Sequence, residues 1–360
     1  MKRRNLIIIA AVALLGILAL IVWISRGQHS TFKQDFHIED TSTITKIFMA
    51  DKNDSQVTLT RNEGDTTWMV DNTYEASQPM IDLLLNTLND IRVRQRVNKN
   101  AAPNIIKDLS VRSIKTEIYQ RVYRIDWFNH KLQLFPHTKL TEVLYIGHET
   151  QDNLGSFAFR EGDKYPVVIH IPGFRGFVEP RFIADATLWR SHRIVSLPVT
   201  QIESIELEIP AMPEESFAVR REGDGFYMEL LSTKQRVDGF DTARVAQMLA
   251  SFTNLNFDEY AKAVPKAELD TTFSKAPRTI LRINDRNGNS RELKTYVKYN
   301  NPDDVYTMPD PEMYNVFDLD RLYAVMDNAD TVLIQFFVFD NILQPASFFL
   351  GKEMSGFAKN

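Results

Sequence analysis

The pattern of apolar and polar positions divides the chain into three stretches. Leu6 to Ile24 is an unbroken apolar run of the length needed to cross a hydrocarbon core of ~30 Å, preceded by Lys2, Arg3 and Arg4 and closed by Trp23. Beyond it two helical periods stand out. Ile81, Leu84, Leu85, Leu88 and Ile91 share their spacing with Val245, Met248, Leu249, Phe252 and Leu255. Each set predicts one apolar face of a three-turn helix, the first entered through Ser77 and Pro79, the second through Asp241 as N-cap.

Around these helices the alternation has a period of two, and it too occurs twice. Ile44 and Ile47 are echoed by Ile202 and Ile205, at an offset of 202 − 44 = 158. Arg61 to Asp65 matches Arg220 to Asp224, and Trp68-Met69 then corresponds to Tyr227-Met228, the aromatic that opens the return strand of a hairpin. Later strands are expected at 114–126, 131–135, 143–146 and 167–171 in the first copy. The second copy is expected to place them at 279–284 and 292–298, joined by the hairpin signal Asn287-Gly288. Val332 to Leu343 reads as one more buried strand.

The expected fold class is therefore α+β, an N-terminal transmembrane helix followed by two tandem copies of a hairpin, helix and antiparallel sheet unit. The expected boundaries are 1–26 for the cytoplasmic tip and anchor, 27–43 for a linker, 44–198 and 199–350 for the two repeats, and 351–360 for a tail. By the positive-inside rule the N-terminus faces the cytoplasm of a bacterial inner membrane and the bulk is extracytoplasmic.

Composition narrows function mainly by exclusion. A net charge of -5 gives no general attraction to nucleic acid, and the lack of cysteine removes thiolate nucleophiles, thiolate metal sites and disulfides. No two of the seven histidines have the i, i+4 spacing of a helical zinc pair. Gly-x-Ser-x-Gly and phosphate-loop patterns are absent; Gly155-Ser156-Phe157 reads as a turn entering a strand, and Pro172 to Gly176 as a surface turn. The acidic run Asp303, Asp304, Asp310, Glu312, Asp318 and Asp320 fits no calcium loop. No catalytic residue, cofactor or metal is assigned. The candidate partner contacts are Arg92, Arg94 and Arg96, which would share one face of an extended segment, together with Trp189 and Arg190.

The anchor, the Ile-x-x-Ile strand openings, the hairpins ending in Trp68 and Tyr227, and the segment Trp189-Arg190-Ser191-His192-Arg193 resemble a bacterial domain of unknown function. That domain occurs in membrane-anchored extracytoplasmic proteins often encoded beside gliding-type ABC transporter subunits. The resemblance covers nearly all residues after Thr43 and implies a non-enzymatic accessory or scaffold subunit of an envelope complex. It would be held in the inner-membrane bilayer through Leu6 to Ile24 and would have protein partners. A periplasmic glycan- or peptide-binding module using aromatics such as Trp127 and Trp189, and an envelope hydrolase, are the competing expectations.

Overall fold

The computed structural model describes residues 16, 36–62, 64–127, 132–301 and 315–351, which divide into two compact units between Ser191 and His192. In the first unit the chain runs through β1 (Ile44–Ala50), β2 (Gln56–Thr60), β3 (Met69–Val70), β4 (Tyr74–Glu75), α1 (Gln78–Asp90), β5 (Arg92–Arg96) and α2 (Ala102–Arg112). It continues through β6 (Ile114–Trp127), β7 (Leu132–Glu149), β8 (Ser156–Arg160), β9 (Val167–His170) and the single turn α3 (Ala186–Trp189). The second unit contains β10 (Arg193–Val195), β11 (Ile202–Glu208), β12 (Phe217–Glu222), β13 (Gly225–Leu230), β14 (Gln235–Arg236), α4 (Thr242–Ser251), β15 (Leu255–Asn256) and β16 (Glu259–Tyr260). Then follow α5 (Lys266–Phe273), β17 (Thr279–Asp285), β18 (Ser290–Tyr299), β19 (Phe317–Met326), β20 (Asp330–Gln335), α6 (Phe336–Phe339) and α7 (Ala346–Phe349).

Each unit is organised by one nine-stranded sheet whose named pairings are all antiparallel. The orders are β4-β3-β2-β1-β6-β7-β8-β9-β5 and β14-β13-β12-β11-β17-β18-β19-β20-β16. The strand immediately after α1, or shortly after α4, pairs at the far edge of its sheet, so in both units the helix carries the chain from one edge to the other.

One face of each sheet holds the main core. In the first unit Ile81, Leu84 and Leu88 of α1 pack with Ile47, Leu59, Ile118 and Leu144. In the second, Val245, Met248 and Leu249 of α4 pack with Ile205, Val219, Leu281 and Leu293. Asp241 caps α4 by accepting from the backbone N–H groups of Ala243 (3.0 Å) and Arg244 (3.1 Å), which satisfies two of the unpaired donors of the first turn. Below the second sheet α5 covers a smaller cluster of Ala261, Tyr296, Tyr323 and Leu333. In the first unit α2 presses close enough to β7 that a Cβ at Gly147 would lie 2.3 Å from Leu109 Cδ2, so any larger residue there would force Leu109 to shift.

Three sequence expectations need correction. The described fold is not a pair of small α+β units but two large antiparallel sheets covered by short amphipathic helices. Leu6 to Ile24 lies outside the described residues apart from Gly16, and among those described no helix is long and apolar enough to cross a membrane. The segment expected as a single strand over Val332 to Leu343 leaves the sheet at Gln335 and turns into α6, where Phe337 is 91% exposed.

The third correction concerns register. Lys46 pairs with Thr60, whereas its counterpart Ser204 pairs with Arg220, so Arg61 is equivalent to Arg221 and not to Arg220. Likewise Leu59 pairs with Val70 and Val219 with Met228, which places Trp68 opposite Phe226 in the comparison and Met69 opposite Tyr227. The side chains agree with this register. The Arg61 Nε donates to Ile44 O at 2.8 Å and the Arg221 Nε to Ile202 O at 2.7 Å, while Arg61 lies 5.0 Å from the Trp68 ring and Arg221 4.5 Å from Phe226. A shift of one residue moves a strand side chain to the opposite face, and matching letters cannot reveal it.

Candidate interaction surface

The feature with the clearest capacity for recognition is a two-stranded ribbon built from the outer parts of β6 and β7. The β1 pairing ends at Gln120 and the β8 pairing begins at Leu144, yet β6 and β7 remain paired from Arg121↔Thr138 out to Trp127↔Leu132. The expectation of two separate strands at 131–135 and 143–146 is thus replaced by one strand, Leu132–Glu149. Pro136 is tolerated within it because β7 has no further neighbour on its outer side there.

Cross-strand register sorts the ribbon into two faces. Trp127, Leu132, Ile125, Leu134, Tyr123 and Pro136 alternate onto one, and Asp126, Gln133, Val122, His137 and Lys139 onto the other. Trp127, Leu132, Leu134 and Leu140 are exposed, and Phe135 is 63% exposed. Phe135 also has φ 58°, a conformation that bulky side chains rarely adopt and that tends to occur at working sites. An isolated two-stranded hairpin is marginal in water, so an apolar face that long invites a covering surface.

The ribbon's root is polar. The Tyr119 hydroxyl donates to Glu117 Oε2 at 2.7 Å and Lys115 Nζ reaches Oε1 at 2.6 Å. Burial alone would raise the Glu117 pKa, but these two hydrogen bonds outweigh it and hold the carboxyl below its ordinary value; the bond to Glu117 pushes the Tyr119 hydroxyl up.

The second unit elaborates a different hairpin. Its β17–β18 connection is a tight turn, with Gly288 at φ 85° and Asp285 accepting from the N–H groups of Asn287 and Asn289. Exposed apolar side chains gather instead at the outer end of β18 and β19, where the Tyr299 and Phe317 rings lie 5.3 Å apart, tilted by 50°, beside Val316 and Leu319.

The residues singled out by sequence occupy other places. Arg92, Arg94 and Arg96 lie on β5, an edge strand, but the register shifts between Val93 and Gln95, so the three do not share one regular face. Arg92 Nη1 donates to Asn89 O (2.6 Å) and Ile91 O (2.9 Å) at the end of α1, and Arg94 pairs with Asp152 at 2.8 Å. Trp189 is fully buried, its indole N–H donating to Ile183 O at 2.8 Å, while its carbonyl accepts from the N–H of Ser77, the N-cap of α1. The Arg190 guanidinium lies 3.5 Å from the Tyr74 ring centroid. The Trp189-Arg190 segment therefore closes the first unit and positions α1. Trp127 is on the ribbon.

Several groups able to do acid–base chemistry make ion pairs or hydrogen bonds within the first unit. His148 Nδ1 lies 2.9 Å from Asp108 Oδ2, and Arg112 also binds Asp108. Burial, reinforced by the like charge of Glu149, raises the Glu179 pKa, with His148 opposing. Ser156 is fully buried and its Oγ accepts from the N–H groups of Val178 (3.1 Å) and Glu179 (3.2 Å). Asp303, Asp304, Asp310 and Glu312 lie outside the described residues; Asp318 pairs with Lys298 at 2.9 Å. Among the described residues no three His, Asp or Glu side chains are grouped to hold a metal.

The fold and these surfaces define a two-unit antiparallel-sheet protein in which one extended hairpin of each unit carries a group of exposed apolar side chains. The family described as a domain of unknown function (DUF4340) matches residues 68–277, more than half of the chain, and the chain belongs to it. No curated protein and no solved structure matches. The match runs from Trp68 beside β3 to the residues just before β17, so it takes in the Trp189-Arg190 closure and α4.

Proposed function

We propose that this chain is a non-enzymatic accessory or scaffold subunit of a bacterial envelope complex, working on the extracytoplasmic side. The resemblance to proteins encoded beside gliding-type ABC transporter subunits supplies the kind of complex. The observation that carries the reading is the placing of exposed apolar side chains on one elongated hairpin per unit, at Trp127, Leu134 and Phe135 in the first and Val316, Phe317 and Leu319 in the second. Apolar surface held out on a hairpin contributes little to its own unit's core and is available to another surface.

The test is a photo-crosslinking residue at Phe317 in cells, followed by identification of the adduct. Expected is a discrete adduct with an envelope protein, lost when Val316 and Leu319 are changed to Ser. No adduct, together with full complementation by that double variant, would overturn the reading. So would loss of activity from Asp108→Asn or His148→Gln in a protein of unchanged stability, because a scaffold does not depend on one acid–base group.

A further inference from the structure

From the distribution of charge and apolar surface on the β6–β7 ribbon, we infer that it lies in the headgroup layer of an anionic phospholipid bilayer, apolar face inward. This rests on the scaffold reading and names the ligand of one of its two hairpins.

Three observations favour lipid over other occupants. The ribbon is amphipathic across its two faces, with Trp127, Leu132, Ile125, Leu134 and Tyr123 on one side and Asp126, Gln133 and His137 beside the single apolar Val122 on the other. Interfacial membrane elements have this division, with aromatic and leucine side chains on the buried face and cationic ones around them. Charge is the second. The ribbon's described residues carry Arg121 and Arg124 against Asp126, with Lys139 at its root, although the chain as a whole has a net charge of -5. A locally cationic ribbon on an acidic protein is drawn to anionic lipid, while two copies of it would repel each other.

Size is the third. Residues 121–127 and 132–138, at ~3.3 Å per residue and two strands wide, give a strip of roughly 23 Å by 10 Å, a few hundred Å², well short of the ~800 Å² per partner of a stable protein interface. A bilayer sets no such threshold. Asp126 and Gln133 alternate onto the face turned away from lipid in this arrangement.

The chain contains no cysteine, so single nitroxide labels can be placed on the full-length protein at Leu134→Cys, Gln133→Cys and Asn287→Cys. The last is the tip of the corresponding hairpin of the second unit. Power saturation is read without lipid, on phosphatidylcholine vesicles and on vesicles that also contain phosphatidylglycerol. On the anionic vesicles the label at 134 should gain oxygen accessibility and lose accessibility to a nickel chelate several-fold, while those at 133 and 287 stay aqueous. Arg124→Glu with Lys139→Glu should return the 134 label to water, thermal unfolding being matched first. An aqueous label at 134 on every vesicle overturns the inference. So does an equal change at 133 and 134, or a change at 134 that tracks protein concentration without lipid, which would mark a second copy as the occupant. If the 134 label fails while the Phe317 adduct stands, the lipid contact is wrong and the scaffold reading survives.

Discussion

The two units share one strand order but spend their extra residues at opposite ends of the equivalent strands. In the first, the connection from β6 to β7 is drawn out into a ribbon and that from β7 to β8 is a tight turn closed by Thr150 and Asp152. In the second, β17 and β18 meet at the Asn287-Gly288 turn, whereas β18 and β19 pair out to Tyr299↔Phe317. The lesson is a division of labour. The strand order, the edge-crossing helix and the arginine at the end of the second strand build the fold in both units, and the hairpin that differs carries what each unit presents. The largest effects should therefore come from substitutions in the shared parts.

Leu88 on α1 and Phe252, in the 3-10 turn that follows α4, share a sequence spacing, and both are fully buried. Changing Leu88 to Ala should cost ~2–5 kcal/mol and Phe252 to Ala ~3–5 kcal/mol, because each leaves a cavity above a sheet that cannot collapse onto it. Leu85 and Leu249 share a sequence spacing but not a burial. Leu249 is 2% exposed and Leu85 only half-buried, so Leu249→Ala should be clearly the more costly by chemical denaturation. Equal costs would break the comparison.

The arginine pair sharpens it. Arg61 and Arg221 each fold back onto the turn that opens the first strand, and Arg221 Nη2 also donates to Val199 O at 2.5 Å. Replacing either by Ala removes hydrogen bonds from a charged donor, worth ~1.5–3 kcal/mol, and Lys cannot restore the forked geometry. Arg220, which the letters alone favoured, pairs with Glu206 and Glu229, all three half-buried, and should cost less when changed to Ala than Arg221, which bonds the backbone. If Arg220→Ala costs more than Arg221→Ala, the register comparison fails.

What was legible in the sequence was local. The apolar helix faces, the Asp241 cap, the Ile44 and Ile202 strand openings and the Asn287-Gly288 turn are each set by spacing within a few residues, and each is present. Pairing between distant residues was not legible. The two-residue edge strands carry too little alternation to register, and Pro136 breaks the pattern of a strand that runs through it. The Arg61–Arg221 equivalence exists only once cross-strand partners are known. Trp189 and Arg190 attracted notice as a charged aromatic segment, and their bonds to Ser77 and Tyr74 show that such a segment can close a fold as readily as meet a partner.

The ribbon allows a direct exchange between units. Replacing residues 122–137 with a two-residue Asn-Gly turn gives the first unit the hairpin of the second. Since Trp127, Leu134 and Phe135 are exposed and outside the main core, the thermal stability should change by less than about 1 kcal/mol. A larger loss would mean that the ribbon helps hold its own sheet together.

The smallest expected effect concerns the far edges, where the two units use charges of opposite order. In the first, Arg94 on edge strand β5 meets Asp152 in the β7–β8 turn; in the second, Glu259 on edge strand β16 meets Arg321 on β19 at 3.3 Å. The Thr150 hydroxyl is the largest contributor holding the Asp152 carboxyl down to about 2, with Arg94 and the Leu154 N–H adding to it. A carboxylate whose folded pKa lies below its unfolded value of ~3.9 stabilises the fold above that value, and the contribution fades as pH falls toward about 2. Asp152→Asn should remove that part of the acid sensitivity between about pH 4 and pH 2, which carboxyl NMR titration and acid unfolding can follow. Because the pair is largely exposed, Arg94→Asp or Asp152→Arg alone should weaken the edge only slightly, and the double exchange, which gives the first unit the charge order of the second, should recover most of the loss. A double variant no better than the sum of the singles would show that the β5 edge is held by its backbone pairing to β9 and not by this ion pair.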